Sequence, residues 1–250
     1  MTNQIRVLTV NTHKGFSSFN RRFILHELRE SIRMLSADVV FLQEVLGQHT
    51  AWAKKFEQHW PDKNQYEFLA DQIWNSYAYG QNAVYTEGHH GNALLSKFPI
   101  TQWDNYDISQ SNMEKRGLLH CQFNLPGTDQ TVHAFCVHLS LRERDRKTQL
   151  HSLCEKVNAI PKNVPVIVAG DFNDWRQRAQ QILLQKAGLS EIYTRQFGKP
   201  AKTFPAQLPI LRLDRIYVRS VKHCEPFEIP HTPWSQLSDH RPLLADISVC

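Results

Sequence analysis

Asp171, Asn173 and Asp174 fall within four residues of one another, directly after the apolar run "VPVIVAG". Carboxylates and amides gathered this way can hold a cation, orient a water or carry a proton. The following "WRQRAQQILLQKAG" reads as a helix, and Asp174 is assigned to its N-terminus as a cap. Asp171 and Asn173 are left without a capping role. Other apolar runs end in the same kind of group: Asn11 in "LTVNTH", Glu44 in "FLQEV", Asn92 in "HHGNALLSKFPI" and His138 in "FCVHLS". Asp214 in "RLDRIYV" and the pair Asp239 and His240 in "LSDHRP" extend the series. Taken singly, each is an ordinary solvated acid, core histidine or turn residue. Their recurrence points to one sheet edge used as a site, because such an edge collects side chains from many strands.

The elements that must deliver them are readable from periodicity. Ile5–Val10 is a first strand, and "NRRFILHELRESIRMLSA" is a helix with Ile24, Leu28, Ile32 and Leu35 on one face behind an Asn20 cap. "DVVFLQEV" (Asp38 to Val45) is a second strand. Further strands are "NALLS" from Asn92, "GLLHCQF" from Gly117, "TVHAFCVHL" from Thr131, "LDRIYV" from Leu213 and "PLLADISV" from Pro242. "RERDRKTQLHSLCEKVNAI" is a helix with Leu150, Leu153 and Val157 along one face. Several strands are apolar on both faces, which predicts two sheets packed together with helices outside them. Within "TVHAFCVHL", His133 and His138 lie five apart and so on opposite faces of a regular strand.

The chain has 250 residues, no linker-like composition break and no repeat, so residues 1–250 read as one domain. Cys121, Cys136, Cys154, Cys224 and Cys250 form no CxxC pair, and their odd number fits reduced thiols. The N-terminus lacks a basic region followed by an apolar stretch and cleavage site, and no apolar run has membrane-spanning length. A cytoplasmic protein is expected. The net charge of +5 favours anionic partners such as nucleic acid or lipid headgroups.

"QEV", "GNALLSKFPI", "GDFND", "LDRIYV" and "SDHRP", in that order and spread with Asn11 across nearly the whole chain, resemble the endonuclease/exonuclease/phosphatase family of magnesium-dependent phosphoesterases. The resemblance implies an α/β fold, a four-layer α/β/β/α sandwich of two packed mixed sheets, with the site at one sheet edge. It implies Glu44 as the principal Mg2+ ligand, with Asp239 nearby, Asn11 completing the polar shell and Mn2+ a substitute. His240 would meet the scissile phosphate as general base or charge stabiliser, Asp214 would fix its tautomer, and Asp171 and Asn173 would hold the attacking water. Asp171 is the alternative base. Asn92 and Arg116 are implied phosphate contacts, although Arg116 beside Glu114 and Lys115 also reads as a solvated charge run.

His138 stands where abasic-site endonucleases of the family typically carry tyrosine. The histidine is similar to the deoxyribonuclease, sphingomyelinase and phosphoinositide-phosphatase branches, and "THKGF" to a compact bacterial branch. The implied activity is hydrolysis of a phosphodiester in nucleic acid or in a phospholipid or sphingolipid headgroup by activated water. A phosphomonoesterase acting on a phosphorylated lipid or small molecule is the alternative. The intact acid and histidine set argues against a non-catalytic anion-binding module. Trp74, Tyr77, Tyr79 and Tyr85 could stack bases, though such spacing more often anchors a core. "AQLPIL" (Ala206 to Leu211), with Trp234 or Phe227, is the stretch suited to lipid contact. No obligate protein partner is evident.

Overall fold

The computed structural model describes residues 4–128 and 130–249; Cys250 lies outside them. The strands are β1 (Gln4–Asn11), β2 (Val39–His49), β3 (Ser76–Tyr85), β4 (Gly88–Ser96), β5 (Ile100–Asp107), β6 (Gly117–Asn124), β7 (Thr131–His138), β8 (Val166–Asp171), β9 (Ser190–Glu191), β10 (Asp214–Arg219), β11 (Val221–Phe227) and β12 (Leu243–Val249). The helices are α1 (Leu25–Met34), α2 (Thr50–Lys55), α3 (Gln65–Ala70), α4 (Glu143–Asn158), α5 (Ala179–Ala187), α6 (Ile192–Phe197) and α7 (Trp234–Leu237). Two six-stranded sheets run in the orders β11-β12-β1-β2-β4-β3 and β5-β6-β7-β8-β10-β9.

The apolar runs explain the layering. Val7, Phe41 and Leu94 of the first sheet face Leu119, Ala134, Ile167 and Ile216 of the second in one buried cluster. The opposite faces of the same strands are apolar too, so each needs a cover. Leu28 and Ile32 of α1 and Leu69 of α3 cover the first sheet, while Leu150, Leu153 and Val157 of α4 and Leu183 of α5 cover the second. Full burial of one such side chain stabilises by ~1.5–3 kcal/mol, and Leu28→Ala is expected to cost ~2–5 kcal/mol. The result is the four-layer α/β/β/α sandwich.

Two parallel pairs fix the site edge. β1 and β2 align Asn11 with Gln43, and β7 and β8 align His138 with Asp171. Antiparallel β10 begins opposite, with Asp214 beside Asp171. The C-terminal ends of β1, β7 and β8 and the N-terminal ends of β6, β10 and β12 therefore share one edge.

Several local expectations need correction. α1 begins at Leu25 with Ile24 at its cap position and no side-chain capping bond, and Asn20 belongs to a separate 3-10 turn at φ 55°. α5 begins at Ala179 rather than near Trp175, because a turn at residues 175–176 and two irregular residues precede it. Trp74 is buried and donates its indole N–H to the Ala37 carbonyl at 3.0 Å, which makes it a core anchor rather than a base-stacking ring. Trp234 is likewise buried, and Phe227 is half-buried. Neither offers a lipid-facing surface. Cys121, Cys136, Cys154 and Cys224 are unpaired, and among the described residues no helix is long and apolar enough to cross a membrane.

Candidate active site

Glu44 reaches the edge through a defect in β2. Pairing with β4 is regular to Leu42 opposite Ala93 and resumes at Val45 opposite Gly91, so Gln43 and Glu44 together oppose Asn92. This is a β-bulge, and Glu44 sits in it at a left-handed φ of 55°. Gln43 stays in the interior, donating to Thr9 Oγ1 at 3.2 Å and Cys136 Sγ at 3.3 Å. The Glu44 carboxylate meets the Lys14 ammonium at 3.3 Å.

Asp171 is the hub of the opposite wall. Its Oδ1 accepts from the Asn173 backbone N–H at 2.9 Å, and its Oδ2 accepts from Asn11 Nδ2 at 3.2 Å. The same Oδ2 lies 3.6 Å from His138 Nε2 and 3.8 Å from His240 Nε2. Gly170 makes this crowding feasible: at φ 144°, a Cβ on it would stand 2.0 Å from the Val137 carbonyl oxygen. Asn173, at φ 50°, donates its side-chain N–H to the Leu139 carbonyl at 2.9 Å. Asp174 Oδ2 accepts from the first N–H of α5, at Ala179, at 2.7 Å, so it serves the helix from five residues upstream.

His240 is held from both sides. Its Nδ1 sits 2.8 Å from Asp214 Oδ2, and its backbone N–H donates to Ser238 Oγ at 3.2 Å. Ser238 in turn donates to the Asn11 carbonyl at 2.7 Å, tying the "SDH" turn to β1. Phe204 packs its ring 5.0 Å from the imidazole. Asp239 lies 3.8 Å from His13 Nε2. His13 and Lys14 therefore link Asp239 and Glu44 to the hub, since the His13 backbone N–H also donates to Asn11 Oδ1 at 3.1 Å.

The remaining predicted residues lie close by. Asn92 is buried and donates both N–H groups to the carbonyls of Gly117 and Cys136, at 3.0 and 3.3 Å, bracing one sheet on the other. The amide hydrogens that a phosphate contact would use are thus engaged. Arg116 spans from Glu114, at 2.8 Å, to the Leu139 carbonyl, at 3.3 Å, next to His138.

Electrostatics sorts these groups by protonation state. Burial works against a charged His240, but Asp214 and Asp171 outweigh it and hold the imidazole protonated well above its ordinary range. Burial pushes Asp171 up, opposed by His240 and helped by Asp214. Burial keeps His138 neutral. Burial also raises Glu44, yet His138, Lys14, His13 and His240 together bring it down to about 2. His138 acts there only when protonated, so at neutral pH Lys14 and His240 are the persistent causes. Glu44, met only loosely by Lys14 at 3.3 Å, and Asp239 are hard oxygen donors, which suits a divalent cation. Asp171, Asp214 and His240 also cluster, with ligand atoms within 4.8 Å, but the short His240–Asp214 contact uses that set internally.

Sequence reasoning passed over His13, Lys14, His90 and Ser238. His90 stands two residues before Asn92 on β4 and so shares its face, and its Nδ1 is buried without a partner. That alternation was available in the sequence.

This four-layer sandwich is also the fold of the endonuclease/exonuclease/phosphatase structures that it superposes on. The chain belongs to the endonuclease/exonuclease/phosphatase family, whose pattern matches residues 8–240, and whose members are hydrolases acting on phosphoester bonds. It is 55% identical over 242 residues to the uncharacterized protein YbhP of Escherichia coli K12, covering 97% of this chain and 95% of that protein. The endonuclease/exonuclease/phosphatase of Beutenbergia cavernae superposes with a TM-score of 0.74 at 18% identity, covering 99% of this chain and 72% of that one. A humanized zebrafish TDP2 gives 0.69 at 20% identity, covering 99% and 100%.

Proposed function

We propose that residues 1–250 form one catalytic domain, a divalent-cation-dependent phosphoesterase that hydrolyses a phosphodiester with an activated water. The observation that carries this reading is His240 held between Asp214 at 2.8 Å and Asp171 at 3.8 Å, beside Asn11 and Asn173. Glu44 and Asp239, with Asn11 nearby, would hold magnesium, or manganese in its place, which when bound supplies charge neutralisation at the phosphate and at the leaving oxygen. The rest falls to the chain. The protonated His240 directs Nε2 at a non-bridging phosphate oxygen, where charge grows as the water attacks. Asp171, made more basic by burial and aimed by the Asn173 N–H, takes the water proton. The new water oxygen–phosphorus bond forms as the bond to the leaving oxygen breaks. This allocation favours Asp171 as base, because His240 could serve only by giving up a proton that two carboxylates hold. His138, kept neutral, donates a hydrogen bond but has no spare proton. Arg116 contributes charge from behind His138. One general base supplies ~10²- to 10⁴-fold, so most of the acceleration must come from charge stabilisation and positioning.

The substrate class is a nucleic acid or a lipid headgroup diester; a zebrafish TDP2 structure holds a single-stranded DNA product. The unpaired thiols support a cytoplasmic setting. The test is turnover of bis-p-nitrophenyl phosphate and p-nitrophenyl phosphate by purified protein with magnesium or manganese. Hydrolysis of the diester in preference to the monoester is expected. Preference for the monoester would move the reading to a phosphomonoesterase, and turnover of neither would overturn it.

A further inference from the structure

Exposed apolar side chains scattered singly over a surface need no explanation. Here the most exposed gather at one edge. Among the described residues, twelve large hydrophobic side chains are exposed; of the six exposed by 61% (Ile210) to 92% (Met113), five stand at the site edge, whereas the less exposed Trp103 within β5 and Leu184 on α5 do not. Phe19 lies on the loop after β1, Val84 at the end of β3, Met113 on the loop between β5 and β6, and Leu208 and Ile210 on the loop before β10. The sixth, Met34, closes α1 at the other edge. These loops are far apart in sequence, and only the sheet edge brings them together.

Cations stand among them. The Arg21 guanidinium lies 5.2 Å over the exposed ring of Phe19, and Arg142 follows the exposed Leu141. Lys202 is exposed on the loop that carries Leu208 and Ile210. No carboxylate lies within ion-pair distance of Arg21, Arg142 or Lys202 among the described residues. Of the acids near them, Glu143 pairs with Arg176 and Arg178 and Glu114 with Arg116, while Asp145, three residues after Arg142, is half-buried. Glu87 and Glu228 remain exposed on neighbouring loops.

Apolar tips with unpaired cations between them match the chemistry of a membrane interface, where rings and aliphatic chains enter the headgroup boundary and bases meet anionic lipid. A nucleic-acid surface would use the cations but would gain little from Leu208, Ile210 and Met113, which offer no flat face for stacking. We infer that the site-edge loops form a docking rim for an anionic lipid bilayer, and that the enzyme takes its diester from a phospholipid headgroup presented there. The second clause rests on the hydrolase reading above; the first does not.

The experiment is flotation with vesicles of phosphatidylglycerol and phosphatidylcholine in equal parts and with vesicles of phosphatidylcholine alone, at fixed salt. Wild-type protein should bind the anionic vesicles at least ~tenfold more tightly. Leu208→Asp combined with Ile210→Asp should lose that binding by a similar factor, with an unchanged circular dichroism spectrum and unchanged turnover of the soluble bis-p-nitrophenyl phosphate. Arg142→Glu combined with Lys202→Glu should abolish the preference for anionic vesicles. Wild-type protein that floats with neither vesicle, or a Leu208/Ile210 variant that binds as wild type does, overturns the docking rim. So does tighter binding to an oligothymidylate that these same substitutions weaken equally. Vesicle binding without turnover of the soluble diester would remove the hydrolase reading and leave the rim standing.

Discussion

Asp214 Oδ2 and His240 Nδ1 meet at 2.8 Å, both buried, across 26 residues of sequence. One carboxylate thus fixes the ring orientation and leaves Nε2 as the outward nitrogen. Asp214→Asn would keep the shape and remove the charge, and is expected to lower kcat by ~10²-fold or more with KM little changed. An equal loss in Asp214→Asn and in a remote destabilising variant, each tracking unfolding, would assign the pair to structure alone.

Removal of divalent cation should abolish turnover, and magnesium or manganese should restore it. Glu44→Gln should weaken cation binding in calorimetric titration while leaving the thermal unfolding of the cation-free protein within a few degrees. Full activity in stringently stripped protein would sink this assignment.

The two histidines of β7 should separate cleanly. His138 lies 3.6 Å from Asp171 at the site, whereas His133 Nδ1 sits 2.9 Å from His120 Nε2, well away from it. His138→Ala is expected to cut kcat on a diester by ~tenfold or more, and His133→Ala to leave it near wild type. Selective incision at abasic sites would contradict the branch that His138 suggests.

The His120–His133 pair makes a prediction about pH. Burial, with His133 adding, lowers His120 from 6.5 to about 4, and burial lowers His133 as well. Both are depressed in the folded state, so the unfolded chain binds more protons between those values. Stability from this pair is fully present above pH 6.5 and declines as pH falls toward 4. Urea midpoints at pH 7 and pH 5 should differ less in His120→Gln than in wild type. An unaltered difference would exclude the pair as a source.

Legibility followed burial. β7, β8, β10 and β12 are apolar on both faces, and their ends delivered His138, Asp171, Asp214 and His240 to the edge as their sequences indicate. β5 was invisible because "ITQWDNYD" is an edge strand with no buried side chain, and β3 was hidden by "SYAYGQNAVY", whose polar groups mask its period. The Asn20 cap failed because a tertiary turn at residues 18–20 outranked a local capping preference. The candidate site residues were legible as types and positions in order. Their mutual contacts were not, since nothing local tells Asn11 that Asp171 will stand 160 residues away. Lys14 against Glu44 depends on left-handed backbone at both residues, which no side-chain pattern announces.

The bulge at Gln43 and Glu44 makes the reading frame of a strand part of the chemistry. β2 reaches the edge carrying one residue more than β4 spends opposite it. Deleting Gln43 would leave every charged group of the site in the chain, yet a regular ladder would seat the acid in the inter-sheet position that Gln43 fills beside Thr9 and Cys136, rather than at the edge against Lys14. The site is therefore specified by a count as much as by a composition: a length change of one here does what a substitution at Glu44 does, and inserting a residue nearby that restores the two-against-one pairing would undo it.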